Sequence, residues 1–322
     1  MFVHEISDNH GEVARGAGER FGIELEVENA RYPDELGAHW RVVEDGSLRN
    51  SGLEFVSNPL SMGQIDEAVP QFYQWMRDLG YATSIRTSTH VHANVLDHTM
   101  EELGAVFAAY AIVEPLLFQM CGSQREENIY CVPWYRAHEQ AEVAGRALGG
   151  RRSQFRYSCK YSSMYIEPVV RFGTVEFRQA PLFEGEGALR VWLELIRAIV
   201  YTAPRLWNDA QAVINAYDEG CSQFVESLFG PTLVDELSIY CRGSMEDIID
   251  NADSLTIAEY LVPSLCTYKA TGWVSPMVHV EGDAVRGYRN VAFRGMGSPM
   301  YMPEYDEDHD EYHDEEYDEE IY

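Results

Sequence analysis

The sequence predicts an α+β fold built on a mainly antiparallel sheet, with helices packed behind the sheet and a helical C-terminal part. Strand-like alternation of apolar and polar residues lies mostly in the first half of the chain, at residues 20–60, 81–95 and 156–181. Beyond Gly185 the apolar residues follow a helical spacing instead. Because strands come early, helices come late and strict βαβ alternation is weak, an antiparallel sheet is favoured over a parallel one.

The chain is predicted to begin with three strands and a helix. The strands are residues 20–28, 39–48 and 51–60, and turn-type Asp, Asn and Gly residues separate the last two. Residues 61–80 place apolar side chains three or four positions apart and stop at a glycine, which is typical of a helix. Pro70 within this helix predicts a kink or an irregular first turn.

The next segment is predicted to add one or two strands and then a long helix. Residues 81–95 supply the strands, since they alternate and are rich in β-branched side chains. Residues 97–122 are strongly apolar over a helical length. Asp97 or Thr99 is expected to cap this helix, because short oxygen-bearing side chains accept hydrogen bonds from the first free amides.

The remaining elements are an irregular segment, the last strands and a series of helices. Residues 122–154 show no clear periodicity and are predicted to be irregular. Residues 156–181 are predicted to hold the last strands, arranged as a hairpin around Arg171–Gly173. The helices are expected to continue from residue 185 to about residue 272.

The domain organisation follows from these elements and from a shift in composition near the C-terminus. We expect an irregular leader at residues 1–18, one large domain at 19–300 and a separate tail at 303–322. Within the domain the sheet core spans about 20–180 and the helical part about 185–272. The tail holds twelve Asp or Glu and no Lys or Arg, so it should repel itself and be disordered. Its interleaved tyrosines suit docking to a protein partner, and a solubilising role is an open alternative.

Composition excludes several functional classes. The net charge of −29 gives no basic face for nucleic acid. No run reaches the ~18 uninterrupted apolar residues of a membrane span, and the N-terminus lacks the basic and apolar start of a secretory signal. A cytoplasmic protein without membrane association is therefore expected. The six cysteines are scattered without a C-x-x-C pair, which argues against a zinc knuckle. The oligomeric state stays open.

Three short segments place side chains suited to catalysis two residues apart. Side chains at i, i+2 and i+4 of a strand project from one face, so each segment forms a polar ladder. The ladders are Glu24 and Glu26, then His90, His92 and Asn94, then Glu176 and Arg178. Ordinary sheets with one solvated face show the same alternation. None of these ladders contains Lys, however, and the grouping of Glu, His and Arg favours a site for a divalent cation and a phosphate.

The order of these motifs resembles a known family. F-G-I-E-L-E, D-G-S, G-L-E-F-V-S-N-P-L, T-H-V-H-A-N and G-T-V-E-F-R follow one another over roughly residues 20–200. In this order they resemble the amidoligase family, which belongs to the glutamine synthetase and glutamate–cysteine ligase superfamily of carboxylate–amine ligases. The resemblance implies a glutamine synthetase/guanido kinase-like catalytic fold over the large domain. In that fold a curved antiparallel sheet holds ATP and two or three Mg²⁺ ions on its concave face, with Mn²⁺ as an alternative ion.

The resemblance also implies roles for individual residues. The implied metal ligands are Glu24, Glu26, Glu54, His90 and Glu176. The implied nucleotide contacts are His92, Asn94 and Arg178. Arg178 is expected to touch the transferring phosphate, and it forms the implied catalytic pair with Glu54. The ligand chemistry agrees, because Mg²⁺ prefers oxygen ligands and leans on substrate phosphates.

The implied reaction joins a carboxylate to an amine. The carboxylate of an amino acid, a peptide or another small molecule takes the γ-phosphate of ATP to become an acyl phosphate, and the amine then displaces phosphate. Two alternatives stay open: a metal-dependent hydrolase on the same ligands, and a non-catalytic protein that binds partners through its acidic tail. No Walker-type G-x-x-x-x-G-K-[ST] motif and no catalytic-triad pattern is visible.

Several other residues are weaker candidates for the edge of the site. They are Asp45, Ser47, Arg125, Asn128, Tyr130, Arg156, Lys160 and Arg171. Each is equally well explained as a turn residue or a surface charge. Arg178 has a structural alternative as well, namely a salt bridge to Glu176 on the same strand face.

Overall fold

The computed structural model describes residues 1–9, 16–149 and 152–262, and within them one six-stranded sheet carries the fold. The strands are β1 Phe21–Val27, β2 Trp40–Glu44, β3 Leu53–Ser57, β4 Ser88–Asn94, β5 Met164–Tyr165 and β6 Thr174–Pro181. They pair in the order β2-β3-β1-β4-β6-β5, and every pair is antiparallel. The α+β class and the antiparallel sheet are therefore confirmed.

Helices follow the first three strands and dominate the second half. They are α1 Met62–Leu79, α2 Met100–Cys121, α3 Ser123–Glu126, α4 His138–Leu148, α5 Arg152–Phe155, α6 Pro168–Arg171, α7 Glu186–Arg197, α8 Ala203–Leu206, α9 Ala210–Glu219, α10 Cys221–Ser238, α11 Met245–Asn251 and α12 Ser254–Glu259. A π-helical turn at Ala198–Thr202 joins α7 to α8. Residues 263–322, including the predicted tail and the end of the predicted domain, lie outside the described residues.

One face of the sheet forms the hydrophobic core. Ile23, Leu25, Phe55, Val91 and Phe177 project from this face and are fully buried. α1 covers one part of it, where its Phe72 ring packs edge-on against Phe55. α2 covers another, where Tyr110 packs edge-on against Phe177. Because strand side chains alternate, burying this face leaves the polar ladders together on the opposite one.

Helix α2 belongs to this core. By length and composition it is apolar enough to cross a membrane, but 94% of its apolar window is buried by the rest of the protein. That burial is typical of a core helix. Its start confirms the predicted cap, because the Thr99 hydroxyl accepts from the Glu102 amide at 3.1 Å and the Glu102 carboxylate accepts from the Thr99 amide at 2.7 Å.

The prediction for residues 122–154 is wrong in part, because α4 occupies His138–Leu148. Its buried side, which includes Ala141, Ala144 and Leu148, is made mostly of alanine and glycine. No side chain caps its start. Small residues and a missing cap give a weak helical signal, so the segment resembles a loop in sequence.

Other expectations hold with small changes. Residues 81–95 yield one strand, β4, and Ala82 adds only an isolated bridge to Glu28. α1 continues through Pro70 as one helix. β5 and β6 are antiparallel neighbours, joined through α6 and Gly173. Gly173 has φ +76°, and a Cβ there would lie 2.2 Å from the Leu96 side chain, so both conformation and space require glycine.

Candidate functional site

The strand register brings the three polar ladders onto adjacent strands of one face. On β1, Glu24 lies opposite His90 of β4, and His92 of β4 lies opposite Glu176 of β6. On the other side of β1, Glu26 lies opposite Glu54 of β3. Residues that are far apart in sequence therefore meet because β1 and β4 are the two central strands.

A first cluster joins Glu24, His92 and Glu176. The His92 Nε2 atom lies 3.5 Å from Glu24 Oε1 and 3.8 Å from Glu176 Oε2. One ligand atom from each of the three residues lies within 4.8 Å of the others. The other ring nitrogen, Nδ1 of His92, lies 3.1 Å from the Thr174 hydroxyl, which fixes the orientation of the ring.

A second cluster joins Glu24, Glu54 and His90, again with ligand atoms within 4.8 Å of one another. The His90 Nδ1 atom lies 3.2 Å from Glu24 Oε2 and 4.0 Å from Glu176 Oε1. Glu24 is thus common to both clusters, with one carboxylate oxygen facing His92 and the other facing His90. Two groups of cation-type ligands share one central carboxylate.

The two histidines stabilise the ionised form of Glu24. Burial works to raise the pKa of Glu24, but its hydrogen bonds with His90 and His92 outweigh burial and hold the pKa well below its ordinary value. Burial lowers the pKa of His92, whereas the charges of Glu176 and Glu24 oppose it and raise that pKa to about 9. A protonated His92 therefore offsets part of the negative charge of the two carboxylates in the first cluster.

Glu54 is in the opposite situation. Burial raises its pKa to about 8, and the negative charges of Glu24 and Glu26 add to the rise. The carboxylate of Asp45, in the turn after β2, contributes in the same direction. No backbone amide or hydroxyl of the described residues donates to Glu54, so its ionised form depends on a positive charge from elsewhere.

Arg178 adds a cation at the edge of the first cluster. Its guanidinium donates to Glu176 Oε1, so the predicted structural alternative, a salt bridge along the strand face, is present. Its Nε atom is buried and has no acceptor among the described residues. An unpaired buried donor of a guanidinium beside a carboxylate cluster fits an oxyanion such as a phosphate.

The two remaining predicted site residues are held by the protein itself. Glu26 Oε2 accepts from the Ser88 amide at 2.8 Å and the Ser88 hydroxyl at 2.5 Å, and Glu26 belongs to neither cluster. The Asn94 side chain donates to the Gly18 carbonyl at 2.8 Å and accepts from the Leu96 amide at 3.2 Å. The metal role of Glu26 and the nucleotide role of Asn94 stay predictions.

Sequence reasoning missed Ser88 and Thr174, which both hydrogen-bond to a site histidine. The signal was available, because Ser88 precedes His90 by two positions and Thr174 precedes Glu176 by two. Both therefore belong to the same one-sided ladders. Their hydroxyls did not stand out because Ser and Thr are common on any strand face.

The weaker candidates lie mostly outside the clusters. Arg125 is buried and donates to the backbone carbonyls of Arg178 and Gln179 at 2.8 and 3.0 Å, which supports β6 beside the site. The Asp45 carboxylate accepts from the Ser47 amide at 2.7 Å and so forms the predicted turn.

Four further candidates are surface features, and Asn128 shapes a turn. The Asn128 side chain accepts from the Tyr130 amide at 2.9 Å. Tyr130 itself is exposed, as are Arg156 and Lys160. Arg171 lies over the Phe172 ring at 5.2 Å, outside the clusters.

The donor set can be tested against the predicted ions. Each cluster offers two carboxylates, one imidazole and no thiolate. Such a ligand set suits Mg²⁺ or Mn²⁺ better than a soft metal. The unpaired Nε–H of Arg178 suits a phosphate oxygen beside such ions. The residues present therefore fit a divalent cation with a phosphorylated substrate.

Comparison with known proteins bears on the same part of the chain. A family model described as "Putative amidoligase enzyme" matches residues 12–200, which include all six strands and both clusters. The same match covers every residue that the sequence predicted for the site. A search of curated proteins finds no match to the chain.

Proposed function

The chain belongs to the amidoligase family, and on that premise we propose that it is an ATP- and Mg²⁺-dependent ligase that joins a carboxylate to an amine. The observation that carries the proposal is the pair of cation-type clusters sharing Glu24, next to a half-buried arginine whose Nε–H is buried and unpaired. Phosphoryl transfer needs positioning and charge neutralisation more than covalent participation by the protein. We propose further that the sheet is the curved, glutamine synthetase-like sheet of that superfamily, with ATP on its polar face.

Each side chain has a role in this proposal. Glu24, Glu54, His90 and Glu176 would hold the cations. His92, predicted as a nucleotide contact, lies near enough to Glu24 and Glu176 to be a ligand as well. A bound Mg²⁺ would neutralise phosphate charge and orient the γ-phosphate for transfer.

Arg178 would act on the phosphate that moves. Its guanidinium is anchored through Glu176 and keeps the Nε–H free. A guanidinium held in this way would donate to a phosphate oxygen without reorganising. A preorganised donor of this kind lowers the barrier to phosphoryl transfer. The Arg125 guanidinium donates to the backbone carbonyl of Arg178, and this hydrogen bond fixes the point of β6 from which the Arg178 side chain extends.

The proposed reaction has two steps. An oxygen of the substrate carboxylate attacks the γ-phosphorus of ATP, ADP leaves, and an acyl phosphate forms. The amine nitrogen then attacks the acyl carbon, inorganic phosphate leaves, and the nitrogen loses a proton to give the amide. The substrates proposed are amino acids, peptides or other small molecules, in a cytoplasmic protein that does not bind nucleic acid.

The test measures whether ATP cleavage depends on both substrates. Purified protein is incubated with ATP, Mg²⁺ and pools of carboxylates and amines, and ADP, phosphate and amide products are followed by mass spectrometry. We expect ADP release that requires both pools. A hydrolase would instead cleave substrate without ATP, and a non-catalytic protein would do neither.

Variants assign the activity to the site. Glu24→Ala and Glu176→Ala are each expected to lower ADP release about 100-fold or more. Each variant removes a ligand of the cations that would stabilise the phosphate charge in the transition state. Glu142→Ala is the matched control, since Glu142 is an exposed carboxylate paired with Arg146 on α4. ADP formation that is absent with every pool, or equal in Glu24→Ala and wild type, would contradict the proposal.

A further inference from the structure

Ser88 lies between two of the predicted site residues and touches both. Its hydroxyl lies 2.5 Å from Glu26 Oε2 and 2.9 Å from His90 Nε2. All three side chains belong to buried residues on the polar face. The register that sets Glu24 opposite His90 and Leu25 opposite Thr89 brings Glu26 beside Ser88, so the contact follows from the pairing of β1 with β4.

Counting hydrogen-bond donors fixes the direction of this chain of contacts. An ionised carboxylate only accepts, so the single Ser88 hydroxyl proton points to Glu26. The distance of 2.5 Å is in the range of a charge-assisted O–H···O⁻ bond. The serine oxygen then offers only lone pairs to the ring, so His90 Nε2 must carry a proton and donate to Ser88.

The direction of the chain determines which nitrogen of His90 faces the clusters. With Nε2 bound to Ser88, Nδ1 is the atom that lies 3.2 Å from Glu24 Oε2. Metal-binding histidines ordinarily donate their other ring N–H to a carboxylate, a carbonyl or water, which fixes both tautomer and orientation. Here a serine backed by a carboxylate takes that position.

We propose that Ser88 is a positioning residue that holds the His90 ring with Nδ1 directed at the cation ligands, and that Glu26 acts through Ser88 rather than by touching the cation. The Oε2 atom of Glu26 already accepts two hydrogen bonds from Ser88, one from its amide and one from its hydroxyl. Glu26 also lies outside both three-residue clusters. This inference rests on the proposed function only in assuming that the clusters bind a divalent cation.

The experiment measures cation binding in the absence of ATP and substrates. The full chain is titrated with Co²⁺ by absorption spectroscopy and with Mg²⁺ by calorimetry. Ser88→Ala is expected to weaken Co²⁺ binding 10- to 100-fold, as losses of such supporting partners commonly do. Mg²⁺ binding should fall less, because Mg²⁺ depends on carboxylate oxygens more than on imidazole. Ser88→Thr keeps the hydroxyl and should restore Co²⁺ binding to within about threefold of wild type.

Two further variants separate positioning from a general structural role. Ser57→Ala is the matched control, because Ser57 is a buried strand serine that accepts from the Ile23 amide at 2.9 Å. It should leave both affinities unchanged. Glu26→Gln keeps a carbonyl oxygen for Ser88 and should hold Co²⁺ affinity within about threefold, whereas loss of a direct anionic ligand would cost more than tenfold.

The outcomes distinguish this inference from the proposed function. Wild-type Co²⁺ affinity in Ser88→Ala, equal losses of Co²⁺ and Mg²⁺ affinity, a tenfold loss in Glu26→Gln, or no Co²⁺ binding by the wild type would each overturn it. Cation binding that responds as expected in a protein that forms no ADP would support Ser88 and contradict the ligase alone. Glu26→Gln preserves shape, so it remains informative where Ser88→Ala fails to fold.

Discussion

Two carboxylates on opposite faces of the sheet, Glu114 buried and Glu54 half-buried, have opposite surroundings. Glu114 of α2, behind the sheet, is fully buried and accepts four hydrogen bonds. Tyr110 donates at 2.8 Å, the Trp134 and Tyr135 amides donate at 3.0 and 3.2 Å, and the Ser163 hydroxyl donates as well. Burial raises the pKa of Glu114 to about 7, although these donors oppose the rise.

Glu54, on the polar face of the sheet, receives no such hydrogen bonds from the amides and hydroxyls of the described residues. Its neighbours are carboxylates, and burial raises its pKa to about 8 with help from Glu24 and Glu26. A buried carboxylate that receives hydrogen bonds from the protein stabilises the fold, whereas neighbouring carboxylates that repel one another are stabilised by a bound cation. The comparison therefore separates a carboxylate that serves folding from carboxylates that we propose bind a cation.

The largest effect should come from removing the satisfied carboxylate. Glu114→Ala leaves two backbone amides and two hydroxyls without an acceptor, and it opens a cavity under β6. We expect a loss of about 4 kcal/mol in the free energy of unfolding, measured by chemical denaturation. Glu142→Ala, on the surface of α4, should change that energy by less than about 0.5 kcal/mol. Equally small changes in the free energy of unfolding for both variants would contradict a structural role for Glu114.

The pH dependence of stability should carry the signature of Glu114. Its pKa is raised from 4.5 to about 7 in the folded state, so the folded protein binds the proton more tightly than the unfolded chain. The resulting stability is fully present below pH 4.5 and is lost as the pH rises through 7, by about 3 kcal/mol in total. Glu114→Gln cannot ionise and should lack this loss. Denaturation of both proteins at pH 5 and pH 8 measures the difference, and parallel pH profiles would contradict it.

A smaller effect of the same sign is expected at Glu54. The pKa of Glu54 is also raised, to about 8, so ionisation destabilises the metal-free fold as the pH rises above 4.5. Glu54→Gln should therefore be more stable than wild type by roughly 1–2 kcal/mol at pH 9 in EDTA, after solvent screening is allowed for. The advantage should vanish at pH 5. In saturating Mg²⁺ the order should reverse, because only the wild type retains the carboxylate ligand.

Much of the site was readable from the sequence, because a strand has a period of two and a ladder of like chemistry stands out. The pairs Glu24 with Glu26 and His90 with His92 required no structure to be placed on one face. Their mutual distances did, because these depend on the register between β1 and β4, which no local pattern records. The same register makes Ser88 a partner of Glu26.

The errors have equally local causes. α4 was not predicted because its buried side is mostly alanine and glycine and no side chain caps its start. No role was predicted for Glu114, although it is the one acid beyond the first turn of the apolar α2, which was a visible signal. Three of its four donors come from Trp134, Tyr135 and Ser163, 20 to 49 positions away, so its role depends on tertiary structure.

Cation-dependent stabilisation tests the central claim most directly, namely that the carboxylates of the polar face meet at Glu24 to bind divalent cations. The free energy of unfolding is measured for wild type and Glu24→Ala across a series of Mn²⁺ concentrations. Above the dissociation constant, wild type should gain about 1.4 kcal/mol per bound cation for each tenfold rise in Mn²⁺, since only the folded state binds it. Glu24→Ala should gain almost nothing, because both clusters lose their shared ligand. Equal gains in the two proteins, or no gain in either, would contradict the account.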